Sequence, residues 1–140
     1  MDKKNYELLE HTADIAVLVK ADSLKKLFIN SAAAMFEIIS APVYDKLSSP
    51  LCAQVEESGG NFEELLVNWL NQLLFLSASR EIIFRDFKIT ELSERTLKAE
   101  ASGLPMSACE VHIEVKAATY HELKVSNNED EWQAKIIFDV

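Results

Sequence analysis

The chain has 140 residues, 49% of them hydrophobic and 26% charged, with only 3 Gly and 3 Pro. That composition fits one globular domain spanning residues 1–140 and excludes a disordered, collagen-like or low-complexity chain. Fourteen Lys and Arg stand against 23 Asp and Glu, a net charge of −9 with no run of four basic residues, so no direct nucleic-acid binding is expected.

The charged start, Met1–Asn5, runs into a strand-like segment with no apolar stretch of the kind a secretory signal needs. Nowhere do ~20 uninterrupted apolar residues occur, so no membrane span is expected and the chain reads as cytoplasmic. Ile15 to Ala21 is β-branched enough for a strand. From Leu24 a helical period follows, with Leu27, Phe28, Ala32, Met35, Ile38 and Ile39 on one stripe. Asp22 or Ser23 caps its start, and Pro42 lies beyond its end.

Leu51 to Val55 reads as a weaker strand. Gly59-Gly60 then breaks the chain, and Asn61 with Glu64 resembles a capping box for a second helix. Phe62, Leu65, Leu66, Trp69, Leu70, Leu73 and Leu76 give that helix a broad apolar face. Ile82–Thr90 and Thr96–Ser102 form a predicted hairpin turning near Ser93-Glu94. A long strand is expected over Val111–Val125, with Val111, Ile113, Val115 and Ala117 inward and His112, Glu114, Lys116 and Tyr120 outward. Asn127 and Asn128 turn the chain into a last strand in which Trp132, Ala134, Ile136 and Phe138 alternate. The expected fold is α+β: a single compact domain with two amphipathic helices packed on a mainly antiparallel or mixed sheet.

Three places could carry chemistry. His11-Thr12-Ala13-Asp14 could be an acid/base pair, a metal site or a simple turn. Lys116 sits in the predicted long strand, either solvated or functional, and His121 would face away from it if the strand is unbroken. Asp139 brings a carboxylate to the end of the last strand, one residue from Val140 and the terminal carboxylate expected there. It is either a solvated side chain or part of a group of oxygens that a hard cation would hold together. Cys52 and Cys109 fit no metal spacing and read as buried free thiols. No nucleophile elbow, HExxH, P-loop or GxGxxG is present.

The sequence resembles the archease family along essentially its whole length. The matching blocks are Tyr6–Asp14, Ser23-Leu24 through Phe28, Ala33–Phe36, Glu64–Asn71, Val115–His121 and the closing Phe138-Asp139-Val140. The resemblance implies a non-catalytic partner of the RNA-splicing ligase that seals tRNA halves. Such a partner promotes guanylylation of the ligase and its repeated turnover, and broadens the nucleotides it accepts. It also implies calcium held by Asp14, Asp139 and Val140, and a role for Lys116, with His11, in activating the ligase. Ala118 stands where Val is expected and the chain closes on Asp-Val rather than Asp-Ile; neither change touches an oxygen ligand. Two other readings remain: a chaperone-like modulator of a tRNA cytosine methyltransferase, and a small metal-dependent hydrolase using Asp14 and Asp139 with His11 or His121 as base. The hydrolase is disfavoured because Ca²⁺ activates water poorly beside Zn²⁺.

Overall fold

Ser23, not Asp22, starts the first helix. Its hydroxyl accepts the Lys26 N–H at 3.1 Å, satisfying one orphan donor of the first turn, and α1 runs Leu24–Ile39. The computed structural model describes residues 5–9, 14–42 and 50–140. Asn61 caps α2 (Phe62–Arg80) in the same way, accepting the Glu64 N–H at 2.8 Å. The return bond of the predicted capping box lands one residue earlier: Glu64 Oε1 accepts from the Gly60 N–H at 2.7 Å.

α2 stops on Glu81, which adopts the left-handed conformation at φ 58°. Glycine is the usual occupant there, because a side chain costs about 1 kcal/mol in that region. Glu81→Gly should therefore raise the thermal midpoint by a few degrees. A lower midpoint would mean that contacts of the Glu81 side chain outweigh the strain.

The strands are β1 (Tyr6–Leu9), β2 (Asp14–Ala21), β3 (Ser40–Pro42), β4 (Leu51–Ser58), β5 (Ile82–Leu92), β6 (Thr96–Pro105), β7 (Cys109–Val111), β8 (Ala117–Thr119), β9 (Val125–Asn128) and β10 (Glu131–Asp139). All pairings among them are antiparallel. One sheet has the order β1-β2-β10-β8, with β9 also on β10; a second has the order β4-β6-β5; β3 and β7 form a small ribbon. α1 packs on β2, β10 and β5, and α2 on β8, β4, β5 and β6, so each helix touches both larger sheets. Covered on two sides, α2 buries more than a single stripe: Leu65, Leu66, Val67, Trp69 and Leu70 are all at most 1% exposed. The Trp69 indole N–H donates to the Phe28 carbonyl at 3.0 Å and joins the two helices.

The fold is α+β as expected, but the long strand predicted over Val111–Val125 is three short ones. β7 leaves to pair with β3, with Val111 opposite Ser40. The His112 N–H then donates to the Ile39 carbonyl at 2.7 Å, at the end of α1. Only β8 and β9 join β10. Between them Glu122 takes a left-handed turn, φ 56°. The apolar alternation was real, but it served more than one neighbour. Val111 consequently stays 49% exposed, and the buried alanine is Ala118 rather than Ala117.

Asn127 and Asn128 also differ from expectation. They pair with Trp132 and Glu131, and the turn falls on Glu129 and Asp130. Both cysteines are free, but neither is fully buried, and Cys52 is exposed on the edge strand β4.

Candidate functional site

The last strand of the chain, β10, returns to pair with β2 near its start. In the β2–β10 pairing Ile136 lies opposite Val17, Phe138 opposite Ile15, and Asp139 opposite Asp14. Val17, Ile136 and Phe138 are fully buried, so a one-residue slip would turn this apolar set to the opposite face; the register is tightly specified. Residues directly opposite in an antiparallel pair have Cα atoms about 4.5–5.5 Å apart and side chains on one face. The carboxylates of Asp14, half-buried, and Asp139, exposed, therefore share a face. Like charges opposed across strands destabilise the pair. Neither carboxylate has a hydrogen-bond or ion-pair partner among the described residues.

A third strand ends at the same place. β8 sets Ala117 opposite Asp139, and the Lys116 N–H donates to the Asp139 carbonyl at 2.7 Å. The Lys116 side chain is exposed and, among the described residues, has no ion-pair partner. Val140 follows Asp139, half-buried against the core. Asp14, Lys116 and the adjacent Asp139 and Val140, three places distant in the chain, thus meet at one end of one sheet.

The histidines do not all follow. His11 lies outside the described residues. His121 is exposed beside Glu122, at 3.4 Å, and Glu122 accepts from Lys135 Nζ at 2.7 Å. Lys135 is about 13 Å along β10 from Asp139 at ~3.3 Å per residue, so His121 is held away from the carboxylates. His112 is exposed near the β3–β7 ribbon. Among the described residues no third His, Cys, Asp or Glu completes a metal cluster. Sequence reasoning missed the bond from Lys116 to Asp139, because it belongs to the backbone and leaves no mark on side-chain pattern.

The profile of the Archease protein family matches residues 6–140. The chain belongs to the archease family. It is similar to the archease of Methanosarcina acetivorans, 38% identical over 144 residues that cover 98% of this chain and 97% of that one. The archease of Methanopyrus kandleri is 33% identical over 140 residues, covering 96% and 99%. A solution structure of a Methanobacterium thermoautotrophicum protein matches with a TM-score of 0.77 at 26% identity, covering 99% of this chain and 100% of that one. A crystal structure of a Thermotoga maritima archease, described as a possible chaperone, matches with a TM-score of 0.66 at 22% identity over 94% of each chain, a likeness of fold. Among the described residues of this archease chain, no helix is long and apolar enough to cross a membrane.

Proposed function

We propose that this archease is a calcium-binding accessory protein that activates the RNA-splicing ligase joining tRNA halves. It promotes guanylylation of the ligase, so that the ligase turns over repeatedly, and widens the range of nucleotides it accepts. The reading is carried by one observation: Asp14 and Asp139 oppose each other across β2 and β10 without a partner among the described residues, beside Lys116.

The donor chemistry fits the ion. Two carboxylates and a main-chain oxygen of Val140 are hard oxygen ligands, which suit Ca²⁺, and the softer Cys and His ligands of Zn²⁺ sites are absent from the cluster among the described residues. When bound, the cation supplies positive charge that neutralises the carboxylate pair and ties β2 to β10. Lys116, whose backbone N–H meets Asp139, presents an exposed ammonium at the same end of the sheet, suited to meeting phosphate oxygens held by a partner. The chain has no nucleophile motif, so it acts by positioning, and the bond-making belongs to the ligase. A net charge of −9 suits docking on a basic RNA-binding cleft and not gripping RNA itself.

Added below stoichiometry to its cognate ligase, the protein should carry product past one equivalent. Product that stays at one equivalent over a wide range of added protein refutes the reading. Lys116→Ala should leave the thermal midpoint nearly unchanged, as expected for an exposed side chain, yet sharply reduce guanylylation. Full activity in that variant would show Lys116 to be merely solvated.

A second reading, chaperone-like modulation of a tRNA cytosine methyltransferase, draws on the aromatic side chains Phe75 and Tyr120, 63% and 54% exposed. Chelation separates the two. Ligase activation is lost without calcium, whereas an aromatic docking surface keeps its partner.

A further inference from the structure

β8 is three residues long, and among the described strands only β10 pairs with it, so its other edge faces α2. An unpaired edge leaves backbone donors and acceptors without partners, and this one is buried: Ala118 is 3% exposed. Asn71 of α2 meets both groups of Ala118. Its Oδ1 accepts the Ala118 N–H at 2.8 Å, and its Nδ2 donates to the Ala118 carbonyl at 3.1 Å. A side-chain amide carries one acceptor oxygen and two donor hydrogens, so a single Asn reproduces the two bonds a neighbouring strand would make.

α2 makes two further bonds to the segment, one to a side chain and one to a backbone group. Asn68 Oδ1 accepts from the Tyr120 hydroxyl at 3.3 Å, and Glu63 Oε2 accepts the Val125 N–H at 2.9 Å. The polar side of the helix thus meets backbone groups at Ala118 and Val125 and a side-chain hydroxyl at Tyr120. Asn71 is the member aligned with the site, because Ala118 lies opposite Phe138 while the two residues before it, Ala117 and Lys116, meet Asp139.

We propose that Asn71 is a positioning residue. By closing the outer edge of β8 it holds that strand on β10, and so sets where Lys116 stands relative to Asp14 and Asp139. A three-residue strand has few bonds of its own and opens locally unless its other side is tied down. α2 itself does not depend on Asn71, since Trp69, Leu70 and Leu73 are fully buried around it. The consequence for ligase activation rests on the function proposed above; the placement of β8 does not, and is measured separately.

The test compares wild type, Asn71→Ala and Asn71→Asp by amide hydrogen exchange, calcium titration and ligase guanylylation. In Asn71→Ala the Lys116 and Ala118 amides should exchange roughly tenfold faster or more, while amides of the β5–β6 hairpin keep their wild-type rates. Calcium affinity and guanylylation should fall with them. Asn71→Asp keeps the acceptor for the Ala118 N–H and loses the donor to its carbonyl, so it should fall between the other two. Wild-type protection of Lys116 in Asn71→Ala overturns the proposal. So does uniformly faster exchange in both sheets of the milder Asn71→Asp, which would make Asn71 a support of the whole fold. If wild type neither binds calcium nor activates a ligase, the proposed function fails, while the exchange rates still decide what Asn71 does.

Discussion

Asp14→Asn and Asp139→Asn should each lower calcium affinity by on the order of a hundredfold, equivalent to ~2.7 kcal/mol. Each substitution nearly keeps the side-chain shape and one oxygen, but removes one of the two charges that attract the ion. The stability of the metal-free protein should move the other way. Asp14 and Asp139 are directly opposite across β2 and β10, and opposed like charges cost about 0.2–1 kcal/mol, so either Asn variant should melt slightly higher than wild type without calcium. With calcium at 100 times the wild-type dissociation constant, wild type gains ~2.7 kcal/mol by mass action and the variants gain little, so the order of melting temperatures reverses. Calorimetric titration and thermal melts with and without chelator read both effects. Wild-type affinity in both variants would place any calcium site elsewhere. Unchanged metal-free stability would show that solvent already screens the carboxylates from each other.

Gly103→Ala should cost on the order of 3 kcal/mol, lowering the thermal midpoint by roughly 10 °C. Gly103 lies in the central strand β6, opposite Phe84 and beside an irregularity in the β5–β6 register. A Cβ there would stand 2.0 Å from the Ile83 carbonyl oxygen and 2.6 Å from the Phe84 Cα. Those are backbone atoms of the neighbouring strand, which cannot rotate aside as a side chain could. The strands must separate, loosening Ile83 and Phe84 from the core. Gly60→Ala is the control, since its Cβ would meet only the Glu64 carboxylate, no closer than 3.5 Å. Equal midpoints for the two variants would mean that the β5–β6 pair yields freely at Gly103.

Both helices were legible in the amino-acid sequence because their signals are local. A cap, a 3.6-residue apolar period and a stop lie within about twenty residues, and Ser23 and Asn61 act on backbone groups three positions away. The β5–β6 hairpin was legible for the same reason: Ser93 and Thr96 close its turn through neighbouring atoms. Asp14, Asp139 and Lys116 stand out in the amino-acid sequence as residues able to carry chemistry, and the roles assigned to them come from family resemblance.

Their meeting could not be read that way. Alternation tells which face of a strand is buried and not which strand covers its edge, so Val111–Val125 looked like one strand while serving β3, α1, α2 and β10 in turn. Asn71 is one more polar residue on an amphipathic helix until the fold brings Ala118 against it. Asp14 faces Asp139 because Val17, Ile136 and Phe138 must all be buried together, and a register between opposite ends of the chain is set by packing that exists only in the folded molecule.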